Sequence, residues 1–156
     1  MTTKPTPTRT MIGAPISQAF ETLSVRTRGP GLTDQTAEVR TWLAGIGAGD
    51  GLVTLFIRHT SASLLIQENA DPDVHTDLLD ALDRLAPRDR AYVHDVEGPD
   101  DMPAHIKAAL TATSLSIPVK GGKMLLGTWQ GIYVVEHRDG PHRREVVLHF
   151  VGTLGA

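Results

Sequence analysis

The sequence contains no cysteine. Disulfides, thiolate metal sites and thiol nucleophiles are therefore excluded, and the chain suits a reducing compartment. Aromatic residues make up only 4% of the 156 positions, so a core must be built from Val, Leu, Ile and Ala. No apolar run approaches the ~20 residues of a membrane span. The net charge of −3 offers no basic excess for nucleic acid or an anionic membrane surface. A phosphate loop of the form Gly-x-x-x-x-Gly-Lys-Ser, a Gly-x-Gly-x-x-Gly fingerprint and a Gly-x-Ser-x-Gly elbow are all missing. Gly45, Gly47, Gly49 and Gly51 follow a helical pattern and precede a strand pattern, the wrong order for either phosphate-binding loop. These absences predict a cytoplasmic protein with neither nucleic acid nor membrane as partner.

What is present reads as an ordinary globular chain, 40% hydrophobic and 21% charged, with a length suited to one domain. Residues 1–16, rich in Thr and Pro, are expected to form a flexible lead-in, and residues 17–156 a single domain. Alternation predicts a first strand over residues 17–28, broken at Gly29-Pro30-Gly31. A helix capped by Thr33 or Asp34 follows, with Val39, Trp42, Leu43 and Ile46 as its apolar positions. Val53–Asn69 reads as two apolar strands around the polar corner His59-Thr60-Ser61, a hairpin with His59 at the rim of a buried face. Asp71-Pro72 starts a helix with the stripe Val74, Leu78, Leu82 and Leu85. Asp100 or Asp101 starts another, with Ile106, Ala109 and Leu110 inward. Strands follow at Leu115–Val119, Lys123–Leu126, Trp129–Arg138 and Arg143–Gly152, the last two joined at Asp139-Gly140-Pro141. The pattern is α+β: mostly antiparallel sheets with helices packed against them, in a single compact domain.

The seven histidines differ in setting. His137 and His142 flank the Asp139-Gly140 turn and read as solvated, His149 as a packed strand position, and His75 as structural. His59, His94 and His105 stand near element ends, where backbone can aim a side chain into a cleft. Converging imidazoles suit zinc or another borderline metal. They suit general acid–base work near neutral pH equally well. Glu68 and Asn69 could add a carboxylate and an amide to the same rim. Within Gly127-Thr128-Trp129-Gln130-Gly131, Trp129 offers a stacking surface and Gln130 an amide for reading a ring edge. Lys107, one turn into the histidine-bearing helix, could hold an anion with the helix amides. No Asp-rich magnesium motif stands out, although Asp77, Asp100 and Asp101 are available.

In order along the chain, His59-Thr60-Ser61-Ala62, Glu68-Asn69, Ala104-His105-Ile106-Lys107, Leu126-Gly127-Thr128-Trp129-Gln130-Gly131 and Glu136 resemble the YjbQ family, named for secondary thiamine-phosphate synthase activity. The resemblance spans residues 17–153. It implies a homotrimer, and a site near His59, His94 and His105. The implied activity joins a pyrimidine pyrophosphate to a thiazole phosphate and releases pyrophosphate. The resulting expectation assigns His59, His94, His105 and Glu68 to catalysis, and Asn69, Lys107, Trp129 and Gln130 to the substrate. A divalent metal, zinc or magnesium, is assigned to His59, His94 and His105, and a small phosphorylated or pyrophosphorylated molecule is the expected partner. The alternative is a non-catalytic trimer that binds metal or a phosphate-type anion in the same pocket.

Overall fold

The structure is a computed structural model that describes residues 13 and 15–155. Most of the lead-in expected over residues 1–16 lies outside the described residues. Eight strands and three helices follow in the order β1 Ser17–Thr27, β2 Gly31–Asp34, α1 Thr36–Gly45, β3 Ala48–Ile57, β4 Ala62–Glu68, α2 Pro72–Leu85, α3 Asp101–Leu110, β5 Ser114–Lys120, β6 Lys123–Met124, β7 Gln130–Glu136 and β8 His142–Leu154. All strand pairs are antiparallel. This is the α+β architecture that the alternation of patterns predicts.

The strands divide into a five-stranded sheet, β1-β8-β3-β5-β6, and a three-stranded sheet, β2-β7-β4. The hairpin expected over Val53–Asn69 is corrected by this division. β3 pairs with β8 and β5, whereas β4 pairs with β7, so the His59 corner passes the chain from one sheet to the other. The Asp139-Gly140 corner likewise carries it from β7 in the small sheet to β8 in the large one. Both strands at each corner have the apolar alternation of a hairpin, because both sheets feed one core. Val53, Leu55, Ile57, Val146, Leu148 and Phe150 of the large sheet share that core with Leu64, Ile132 and Val134 of the small one.

Local chemistry explains the element ends. Asp71 caps α2 by accepting from the Asp73 N–H (3.0 Å), with Pro72 in the first turn, as predicted. Thr33 and Asp34 belong to β2, a strand missed in the sequence, and Gln35 is the N-cap of α1. Asp34 still accepts from the Thr36 N–H at 2.8 Å. Gly47, at φ 65°, ends α1, but Gly51 lies inside β3. A Cβ there would stand 2.3 Å from the Val151 carbonyl oxygen, so only glycine permits this crossing with β8.

Helix α3 turns a different face inward from the one expected. Asp101, Pro103, Ala104, Lys107 and Ala108 are buried, while Ala109 and Leu110 are exposed. α2 has no fully buried residue, and Leu85 of its stripe is exposed. Among the described residues nothing covers the outer face of the large sheet: Phe20, Leu52, Phe56 and Val151 all remain exposed there. His149 lies on this face, stacked on Phe20 with centroids 4.1 Å apart, and is not packed in the core.

His137 is 2% exposed, which overturns its reading as a solvated turn residue. Its Nε2 meets the Ser63 hydroxyl at 2.8 Å, and Ser63 meets the Thr111 hydroxyl at 2.6 Å. Thr111 also reaches the Lys107 carbonyl at 2.8 Å. Burial, aided by the nearby positive charge of Lys107, lowers the His137 pKa to about 4. Because the unfolded ring titrates at about 6.5, the unfolded state takes up a proton first as pH falls. Stability should be fully retained above pH ~6.5 and decline by roughly 3 kcal/mol as pH falls toward ~4. Urea unfolding of wild type and His137→Gln across this window checks it; the substitution should remove most of the slope.

Candidate active site

The two sheet-switching corners lie against each other, and a buried ion pair joins them. Glu136, at the end of β7, is 1% exposed, and Arg144 of β8 is 5% exposed. The Arg144 guanidinium donates to both Glu136 oxygens, Nε to Oε2 at 2.7 Å and Nη2 to Oε1 at 2.5 Å. Thr27 donates a third hydrogen bond at 2.7 Å, and the backbone amides of His137 and Arg138 add two more at 3.1 and 3.0 Å. Burial pushes the Glu136 carboxyl up, but Arg144 and these donors outweigh it and hold it below the usual carboxylate range.

The outer edge of the Arg144 guanidinium faces the His59 corner. Nη2 reaches the Ser61 hydroxyl at 3.1 Å, and Nη1 lies 3.4 Å from His59 Nδ1. The His59 Nε2 accepts the Glu145 backbone N–H at 2.8 Å, so its lone pair is already engaged. Burial and the adjacent Arg144 charge lower the His59 pKa. His59 is therefore a neutral ring whose proton sits on Nδ1. It can donate to a ligand, but in this conformation it is not a metal ligand.

His94 and His105 do converge, with ring centroids 5.6 Å apart. Asp101 lies between them: its Oδ2 is 2.6 Å from His94 Nε2 and 3.2 Å from His105 Nε2. The His105 Nδ1 donates to the Thr60 carbonyl at 2.9 Å. A neutral His105 then turns a bare Nε2 lone pair toward a carboxylate oxygen, an arrangement that a shared proton or a metal ion satisfies. With Glu97, these residues form a set of four potential ligands whose donor atoms all lie within 4.8 Å of one another. Arg138 fixes the set from behind, donating to Asp101 Oδ1 (2.5 Å), Asp100 Oδ2 (2.8 Å) and the Glu97 carbonyl (3.0 Å). The bond to Asp101 raises the His94 pKa. Burial pushes Asp101 up, but His94, Arg138 and His105 together hold it below the usual range.

A cleft of about 680 Å³ is lined by His59, Ser61, Arg58, Arg144 and His105, with Phe56 and Ala108 on its apolar side. Imidazole, hydroxyl and guanidinium donors thus share one cavity with one edge of the metal-competent set. That combination can bind an anion and polarise it.

The remaining candidates lie elsewhere. Lys107 is 4% exposed and paired with Asp83, so it is unavailable to a ligand in the cleft. The Glu68 carboxylate accepts from the Ala70 N–H, and Asn69 donates to the Thr128 carbonyl at 3.1 Å. Gln130 accepts from the Gly127 N–H at 2.8 Å, and Trp129 is 63% exposed. Asn69 and Gln130 line a different cavity, and neither Glu68 nor Trp129 lines the histidine cleft. These four residues stand at the opposite ends of β4 and β7 from the corners, so the expected single pocket divides into two places.

The proximity of Asp101 to His105 has a signal in the sequence, their four-residue spacing, which puts both on one helix face. Arg138 and Arg144 carried no such signal, because their partners come from other elements, and Glu97 stands three residues from His94 in a loop, where spacing fixes no common face.

A family model described as UPF0047 protein YjbQ-like matches residues 21–153. A UPF0047 protein of Synechocystis is 50% identical over 142 residues, covering 90% of this chain and 97% of its own length. The UPF0047 protein YjbQ of Salmonella typhimurium is 42% identical over 132 residues, covering 84% of this chain and 94% of its own. Among solved structures, an uncharacterized conserved protein of the YjbQ/UPF0047 family from Clostridium acetobutylicum superposes with TM-score 0.78 at 41% identity, covering 83% of this chain and 98% of its own. A YbjQ-like protein of unknown function from Sulfolobus solfataricus has the same fold, with TM-score 0.81 at 24% identity.

The buried pair generates a stability prediction. Glu136→Gln leaves the Arg144 charge without its counter-ion and should cost roughly 3 kcal/mol. For a domain of this size the thermal midpoint should fall by about 6–12 °C. Glu136→Met combined with Arg144→Met should recover part of that loss, and calorimetry on both variants checks the pair.

Proposed function

The chain belongs to the YjbQ-like UPF0047 family, and from that premise we propose a metal-assisted enzyme acting on a small phosphorylated or pyrophosphorylated molecule. The observation that carries this reading is the His105 ring, held by the Thr60 carbonyl with its free nitrogen directed at Asp101, in the wall of a cleft that also contains Arg144. Metal-binding histidines are oriented in this way by a carbonyl on their second nitrogen.

The donor set of His94, Asp101, His105 and Glu97 fits a divalent cation. Two imidazole nitrogens favour zinc over magnesium, which prefers oxygen donors. His59 moves from the expected ligand set to the cleft wall, where its Nδ1–H, the Ser61 hydroxyl and Arg144 present donors to an anion. When bound, a zinc ion would supply Lewis-acid stabilisation of charge developing on a phosphoryl oxygen. Arg144 would orient the phosphate, and Arg138 would keep Asp101 ionised and aimed.

Within this reading, the reaction joins a pyrimidine pyrophosphate to a thiazole phosphate, and the cationic wall accommodates the pyrophosphate released. A homotrimer and a cytoplasmic location complete the proposal. The apolar outer sheet face supports self-association, and Phe56 belongs both to that face and to the cleft, so association would help close the site. A second reading is a non-catalytic metal or anion-binding trimer. It is favoured by the distance of Asn69, Trp129 and Gln130 from the cleft, which leaves ring recognition there without its expected residues.

Elemental analysis and a pyrophosphate-release assay test both. Wild type should hold one zinc per chain, and Asp101→Asn and His105→Ala should each lose it together with at least ~100-fold in turnover. His59→Ala should keep the metal and lose turnover. Metal uptake should weaken as pH falls through the raised His94 pKa, because the proton competes for the same nitrogen. Undiminished zinc in both Asp101→Asn and His105→Ala would sink the metal centre. Stoichiometric zinc with no pyrophosphate release would favour the binding protein.

A further inference from the structure

The segment from Leu126 to Gln130 has no role at the histidine cleft, yet its loop is tightly built. Gln130 Oε1 accepts the Gly127 N–H at 2.8 Å, closing the loop on itself. Asn69 Nδ2 donates to the Thr128 carbonyl at 3.1 Å and approaches the Gln130 carbonyl at 3.4 Å, clamping the loop to the end of β4. The Asn69 N–H donates to the Trp129 carbonyl at 3.1 Å.

The loop borders a cavity of about 370 Å³ between α1 and the β6 region. Met124 and Leu126, packed on the buried Leu43, give it an apolar floor, and Arg40 and Lys123 stand at its exposed sides. Neither cation has an acidic partner among the described residues, whereas neighbouring Lys120 lies 4.0 Å from Asp50. Lys123 is presented by a fixed turn: the Gly121 N–H donates to Asp50 at 2.7 Å and the Gly122 N–H to the Gly49 carbonyl at 2.9 Å. Arg40 follows Val39, which is fully buried, so the helix that carries it is anchored. The volume lies within the range of small-molecule pockets. Apolar contact below and unpaired cations at the sides select a ligand with a ring and a negative charge.

We propose that this cavity is a second small-molecule site, separate from the histidine cleft, that takes an aromatic ring bearing a phosphate or carboxylate group. The ring lies on Met124 and Leu126, with Leu43 packed beneath them, and the anion is held between Arg40 and Lys123. Asn69 and Gln130 act as positioning residues that hold the loop in its binding shape.

Isothermal titration calorimetry on the full chain, with metal removed, tests the site using phenyl phosphate, phenol and inorganic phosphate. Phenyl phosphate should bind one site per chain, at least ~10-fold more tightly than phenol or inorganic phosphate. Arg40→Met with Lys123→Met should weaken phenyl phosphate at least ~10-fold, while Arg58→Met at the histidine cleft should change it less than ~2-fold. Both sets of substitutions are on exposed side chains, and an unchanged thermal midpoint verifies folding. The proposal is overturned if phenyl phosphate shows no saturable binding, or if the Arg40 and Lys123 substitutions leave it unchanged. Loss through Arg58→Met instead would assign the binding to the histidine cleft. Equal affinity for inorganic phosphate would remove the ring from the ligand class.

Discussion

The Glu136–Arg144 ion pair is the constraint on which the rest of the site depends. It joins the end of the small sheet to the start of the last strand of the large one. Two charges buried without help would cost more than their attraction returns. Here Thr27 and the amides of His137 and Arg138 complete the hydrogen bonding of the carboxylate, and Ser61 engages the guanidinium. The same bonds therefore fix four chain segments at one point. One of these segments, the His59 corner, positions the Thr60 carbonyl, which in turn orients His105. A stability device and a chemical device share the same atoms.

This coupling explains how an α+β scaffold with few aromatics aims its site so closely. The corners are short, and each is tied by charge-assisted bonds instead of by large buried rings. Arg138 repeats the strategy on the other side, holding Asp100, Asp101 and the Glu97 carbonyl in one grip. The metal-competent set therefore stands on the first turn of α3 and the loop before it, with the Asp101 carboxyl held below its usual range by His94 and, behind it, the Arg138 guanidinium. Polar networks of this kind specify a geometry when every member is satisfied, and no buried side-chain polar atom among the described residues lacks a partner.

Much of the frame was legible in the residues. Val53, Leu55 and Ile57 fall at every second position of an apolar run, and Asp71-Pro72 pairs an N-cap residue with a first-turn proline. Their positions near element ends made His59, His94 and His105 stand out; His59 and His105 line one cleft, and His94 meets His105 across Asp101. The reading failed where alternation was asked to say which strand pairs with which. Val53–Asn69 looks like a hairpin because strands facing a shared core alternate in the same way whether or not they are neighbours. His137 was misjudged for a related reason: a turn in the chain is exposed only if nothing packs over it, and Lys107, Ser63 and Thr111 do.

The sequence by itself determined most of the element types, the inward faces of the long strands, the family and the side chains available for chemistry, because each follows from local pattern or from motifs kept in order. Only the tertiary structure decided which of those side chains meet. It brought Asp101 and Glu97 to the histidines and turned the His59 lone pair onto a backbone amide. It also withdrew Lys107 into an ion pair and sent Asn69 and Gln130 to a second cavity. The physical reason is that strand pairing across two sheets sets distances between residues remote in the chain. No local period carries that information.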